Sequence, residues 1–231
     1  MHKLLSITIL LNLVIFGSPI LAQSLVEKSK TNLQNIIVFQ ENFDPPGDPE
    51  PKSGTVGAGS RDGQRCSANE QPIKPLMPKR NFGLTFEEHP PVFIYFPKTS
   101  AKKVLLTFRD ETGNYYERTF LPITTGEGIV SFIQPKEKTP LAIGKNYEWS
   151  LVVVCGKTVQ PDDPTFKGWV QRVAKTTKVN QELNQMTTIA QVNWYAQRGY
   201  WYEMVMALKE ASKAEPNNAQ LFKSLIKTYI Q

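Results

Sequence analysis

Two cysteines, Cys66 and Cys155, stand about 90 residues apart in a chain of 231 residues that contains no others. They constrain the fold more than any other feature. In an exported chain a lone pair of this kind is read as a disulfide, which ties together whatever lies at its two ends. The first residues indicate export. Met1-His2-Lys3 is a short positive start, Leu4–Phe16 is apolar apart from Ser6, Thr8 and Asn12, and Gly17-Ser18-Pro19 breaks the run ahead of Ile20-Leu21-Ala22. That is the layout of a secretory signal over residues 1–22, and its apolar run is shorter than the ~20 residues of a membrane span. The expected location is periplasmic or secreted, with no membrane span in the mature chain.

Removal of residues 1–22 takes Lys3 and leaves 26 basic against 21 acidic side chains, a net charge of +5. A basic balance favours anionic partners. The charges are nevertheless scattered, in runs no longer than two, and no nucleic-acid motif is present. Nucleic acid is therefore not expected as a partner.

Residues 23–65 read as a disordered linker rich in proline and glycine, with weak support for a short helix over 23–40 around Leu33, Ile36, Ile37 and Phe39. The stretch from Asp44 to Gly63 carries proline, glycine and charge in proportions that exclude a packed core. From residue 82 the pattern changes to strands: Val92–Phe96, Lys103–Asp110, Tyr115–Leu121, Gly128–Ile133, Asn146–Val154 and Phe166–Val173, with short additions at Leu76 and Gly83–Phe86. Tyr147, Trp149, Leu151 and Val153 share one face by alternation, and Asp110–Asn114 makes a hairpin turn. Six to eight strands without intervening helices predict an antiparallel β-sandwich of the immunoglobulin type over residues 66–177. A Cys66–Cys155 bridge would clamp the linker end onto this sandwich, contributing roughly 4–5 kcal/mol in the chain-entropy picture.

After Thr177 the period becomes helical. Ile189–Gln197, Trp201–Ala214 and Asn218–Ile230 each repeat apolar residues three or four apart, broken by Gly199 and Pro216. Residues 178–231 thus form a helical tail. Tyr195, Gly199, Trp201, Leu208, Ala211 and Pro216 stand at spacings that resemble a single tetratricopeptide unit, although such solenoids need about three repeats to bury their faces. Tyr200-Trp201-Tyr202 cannot all point inward on one helix, so one or two must lie at a domain contact or be exposed, and the hairpin packs on its own sandwich or on a partner. This cluster is the candidate interaction surface.

No catalytic set emerges. His89 is the only histidine of the mature chain, and no Gly-x-Ser-x-Gly elbow offers it a nucleophile. Metal ligation would need several histidines or cysteines, and both cysteines are expected to be bridged. Gly57–Arg61 lacks the lysine and the preceding strand of a phosphate loop. The acidic pairs Glu87/Glu88, Asp110/Glu111 and Asp162/Asp163 are neighbours in turns, whereas acid–base work on sugars needs carboxyls facing each other across a cleft.

Several motifs together resemble a cyanobacterial family classed as domain of unknown function family 928. They are Gly57-Ala-Gly59-Ser-Arg61, Pro75-Leu-Met-Pro78, Gly83-Leu-Thr-Phe-Glu-Glu-His-Pro90, Phe93-Ile-Tyr95-Phe-Pro97, Gly128-Ile-Val-Ser131, Pro140–Trp149, Val154-Cys155, Gly168-Trp169-Val-Gln-Arg172 and Tyr195–Tyr202. The resemblance runs over residues 54–215 and departs from the family pattern at Gln64-Arg65 and Lys157-Thr158. It implies an exported envelope protein and carries over no catalytic residues.

The sequence therefore predicts a mainly β chain with an α tail, non-enzymatic and without cofactor or metal. Its expected role is to bind an envelope protein or a glycan. The leading contact is Tyr200–Tyr202; the alternative is a carbohydrate-binding sandwich that uses exposed aromatics, Trp169 among them.

Overall fold

Alternating side chains build the largest layer. A computed structural model of the chain describes residues 37, 39, 64–124, 126–214 and 216–229, all within the unit Ile37–Gln231. The expected signal segment, the Gly57–Arg61 motif and most of the expected linker lie outside these residues. The strands are β1 (Lys74–Pro75), β2 (Phe82–Thr85), β3 (Val92–Phe96), β4 (Lys103–Asp110), β5 (Tyr116–Pro122), β6 (Gly128–Phe132), β7 (Asn146–Val154) and β8 (Thr165–Arg172). They form a three-stranded sheet in the order β1-β3-β6 and a five-stranded sheet in the order β2-β8-β7-β4-β5. Val104, Leu106 and Phe108 of β4 and Tyr147, Trp149, Leu151 and Val153 of β7 are buried, and they share one apolar core with Ile94 and Phe96 of the smaller sheet.

All the pairings are antiparallel except one: β2 runs parallel to β8, with Phe82 beside Trp169 and Thr85 beside Arg172. The expectation of a purely antiparallel sandwich is corrected here. β2 and β8 are far apart in sequence, so no hairpin fixes their relative direction. Asn81, at φ 57°, turns the chain into β2, and its carbonyl accepts the Trp169 N–H at 2.9 Å.

Four helices follow: α1 (Thr177–Asn184), α2 (Thr188–Gln197), α3 (Trp201–Ala214) and α4 (Pro216–Tyr229). Thr176 and Thr187 cap the first two by accepting the N–H of Val179 and Ala190. Gly199, at φ +76°, ends α2, and its carbonyl accepts the Leu84 N–H at 2.9 Å, so the α2–α3 turn bonds to β2, an edge strand of the large sheet. α3 packs against α2, α4 and β2.

The bridge joins Cys66 to Cys155, with 5.2 Å between their Cα atoms, and ties the segment before β1 to the end of β7. One described residue of the expected linker is packed. Phe39 is 4% exposed, and its ring meets that of Trp201 edge-on at 4.9 Å.

Candidate functional site: the outer sheet face and the buried tail contact

The helix predicted to offer a contact surface is turned toward its own sheet. Trp201 and Tyr202 are fully buried, and Tyr200 is half-buried. The Trp201 indole N–H donates to the Leu76 carbonyl at 3.2 Å. Tyr202 accepts from the Trp149 indole N–H at 2.9 Å and donates to the Trp169 carbonyl at 3.0 Å. Tyr200 stacks on Phe86 at 4.2 Å and on Trp194 at 5.5 Å. Of the two places open to Tyr200-Trp201-Tyr202, a domain contact or an exposed surface, Trp201 and Tyr202 take the first, in the contact between tail and sheet. A helical pattern shows which residues share a stripe but not what covers it.

The same contact buries a carboxyl. Glu203 Oε1 accepts from the Thr85 hydroxyl at 2.8 Å and from the Phe86 N–H at 2.6 Å, while Oε2 is buried without a hydrogen-bond partner. Burial raises the Glu203 pKa to about 7 against the lowering effect of those bonds, and Glu87 adds to the rise. Burial likewise pushes Tyr195 up to about 12, with Glu203 and Glu87 adding to it.

The acidic pairs of the sequence are engaged in local turns and in bonds to neighbouring strands. Asp110 accepts from the Tyr115 N–H and the Thr112 hydroxyl, and Glu111 accepts from Asn146. Asp163 accepts from the N–H groups of Cys155 and Gln160, which fixes the loop beside the disulfide. Glu88 pairs with Arg172 at 2.9 Å. His89 is half-buried, and its Nδ1 has no hydrogen-bond partner. Among the described residues no group of three or more His, Cys, Asp or Glu could hold a metal ion.

An open depression of about 500 Å³ is lined by Glu70, Lys98, Thr99, Ser100 and Glu127 among others. Burial opposes ionisation of Glu70, but hydrogen bonds from Ser100 and Thr99 prevail and hold its carboxyl below the ordinary range. That carboxylate is already engaged in tying the segment after Cys66 to the Thr99–Ser100 turn.

The surface with unspent side chains is the outer face of the five-stranded sheet. β5 is an edge strand, and alternation turns Tyr116, Arg118 and Phe120 to the outside. Tyr116 is 58% exposed and Phe120 50%, two large rings on one face of the same strand. Register carries the face inward across the sheet. Tyr116 lies beside Arg109, Arg109 beside Glu148, and Glu148 beside Trp169. Arg109 and Lys167 pair with Glu148 at 2.6 Å and 3.5 Å, while Lys103 sits 5.1 Å above the Phe120 ring. Trp169, the aromatic singled out in the sequence, is half-buried at the far end of this row. Tyr116 and Phe120 were not singled out; their four-residue spacing in an alternating strand was the available signal.

A family model matches residues 56–228, well over half of the chain. The chain belongs to the Domain of Unknown Function family DUF928. No curated protein matches. Among solved structures, the fn3 domain of human collagen alpha-1(XX) chain, determined in solution, is similar at 12% identity over 54% of this chain and 93% of that one, with a TM-score of 0.29. A likeness at that level carries no argument about this chain. Among the described residues no helix is long and apolar enough to cross a membrane.

Proposed function

We propose that this DUF928 protein is a non-enzymatic, exported binding module of a cyanobacterial envelope, built on an immunoglobulin-like sandwich, and that it attaches to an envelope component through the outer face of its five-stranded sheet. The observation that carries this reading is the pair Tyr116 and Phe120, more than half and half exposed on one face of an edge strand, with Arg118 between them. Exposed aromatics beside a planar cation are the usual anchors of a recognition surface. The disulfide supports an oxidising compartment. The carboxylates Asp110, Glu111, Asp163 and Glu88 are taken up in bonds to turns, loops and strand residues, which supports binding rather than catalysis. On this reading the tetratricopeptide-like spacing of the tail is a packing pattern directed at its own sheet.

A glycan is favoured over a protein as the ligand by the row of Thr107 and Ser150 that crosses the same face, since short hydroxyl side chains suit sugar hydroxyls. The test is cosedimentation of the purified mature chain with isolated envelope fragments, wild type against a Tyr116→Ser, Phe120→Ser variant of unchanged thermal midpoint. Loss of cosedimentation in the variant is expected; equal cosedimentation would overturn the assignment of this face.

A further inference from the structure

Register defines three adjacent rows on the outer face. The first is Tyr116, Arg109, Glu148 and Trp169; the second is Arg118, Thr107, Ser150 and Lys167; the third is Phe120, Leu105, Val152 and Thr165. Rows two residues apart along a strand are about 7 Å apart, and the span from β5 to β8 is three strand spacings, about 14 Å. The middle of the second row holds the short side chains Thr107 and Ser150, flanked along the strands by the larger pairs Arg109–Glu148 and Leu105–Val152. This row crosses the strands with Arg118 at one end and Lys167 at the other.

We propose that this row seats an acidic polysaccharide, a chain bearing carboxylate or sulfate-ester groups, an inference that rests on the outer face being the contact surface. The charge balance points that way. Arg109, Arg118, Lys103 and Lys167 stand on this face against one carboxylate, Glu148, whose side chain is 5% exposed and is already shared by Arg109 and Lys167. Among the described residues Arg118 has no ion pair, and its guanidinium fork matches a carboxylate or sulfate oxygen pair. Thr107 and Ser150 supply hydroxyls along the row, and the exposed rings of Tyr116 and Phe120 offer apolar faces to the C–H sides of sugar rings. A single line of hydroxyls between two cations matches one extended polymer strand better than a two-dimensional array of headgroups.

The probes are polygalacturonate and dextran sulfate, with neutral dextran, an oligo-dT strand and phosphatidylglycerol vesicles alongside, each titrated calorimetrically into the mature chain. Binding to at least one of the two acidic polysaccharides is expected, weakening at least tenfold between low salt and about 0.3 M salt as screening sets in. Replacing Arg118 and Lys167 by glutamine should weaken it about tenfold or more, whereas replacing Lys178 and Lys223 of the tail, exposed and away from this face, should change it less than twofold. Absence of binding to both polysaccharides, equal affinity for neutral dextran, tighter binding to oligo-dT or vesicles, or an equal loss in the tail variant would each overturn the proposal. Failure of this proposal alone is distinguishable from failure of the reading beneath it. In the first case Tyr116→Ser, Phe120→Ser still abolishes envelope cosedimentation while the Arg118, Lys167 variant does not; in the second, neither variant has an effect.

Discussion

Gly83 and Trp201 approach so closely that a Cβ on Gly83 would lie 2.6 Å from the Cβ of Trp201, and 3.2 Å from the Tyr202 ring. The obstacle is the root of a side chain rather than its flexible end, so relief requires α3 to move away from β2. Gly83→Ala is expected to lower stability by about 1–3 kcal/mol, the range for overpacking a filled core. Urea denaturation followed by tryptophan fluorescence measures it. An unchanged midpoint would mean that α3 is not seated on β2 as described.

Glu203 makes the same contact sensitive to pH. Its carboxyl ionises at about 7 in the folded chain and at its ordinary 4.5 when unfolded, so the folded state holds the proton more tightly. Stability from this group is complete below pH 4.5 and declines as pH rises toward and through 7, by ~3 kcal/mol in all. Glu203→Gln keeps an acceptor for Thr85 and Phe86 but cannot ionise. Denaturation at pH 5, 6, 7 and 8 should give a falling series for the wild type and a flatter one for the variant. Identical slopes would show that burial does not raise this carboxyl.

The strands were legible because each of the long ones turns one face to the core. Lys103–Asp110 and Asn146–Val154 match their expected bounds, since alternation of Leu106 and Phe108, or of Tyr147 and Trp149, with polar neighbours is a local signal. The parallel seat of β2 was not legible, because pairing direction is set by where the chain returns. Helix α1, Thr177–Asn184, was not separated out within the expected tail: TKVNQELN has only Val179 and Leu183 as apolar residues, and of its eight residues only Leu183 is buried. The candidate face is a property of register. Tyr116 and Phe120 are visible in one strand, but Arg109, Ser150 and Lys167 join them only when four strands are aligned. The inward turn of Trp201 and Tyr202 did leave a trace, since Gly83 stands where their side chains need room.

The disulfide should matter most for the segment it tethers. Cys66 precedes Glu70, whose carboxylate accepts from Thr99 and Ser100, and Cys155 follows β7 next to the loop held by Asp163. Replacing both cysteines by serine should cost about 2–5 kcal/mol. Amide hydrogen exchange should then rise over residues 64–73 well before it rises in β4 or β7. Uniform acceleration across the large sheet would indicate that the bridge supports the whole core instead.

Tyr202 decides whether sheets and tail are separable. Its hydroxyl accepts from the Trp149 indole in the middle of β7 and donates to the Trp169 carbonyl of β8, so one side chain of α3 completes the bonding of two central strands. Tyr202→Phe leaves a buried indole N–H unpartnered and is expected to cost about 1–3 kcal/mol. Truncation at Thr177 removes Trp201 and Tyr202 together, both fully buried, and uncovers Trp149, Gly83 and the edge of β2. Losing a single large core aromatic already costs about 3–5 kcal/mol, a large share of the stability of an ordinary domain. The truncated chain is therefore expected to lose its near-ultraviolet circular dichroism and bind a hydrophobic dye. A folded, dye-silent fragment with a cooperative melt would instead establish the β-layer as an independent domain.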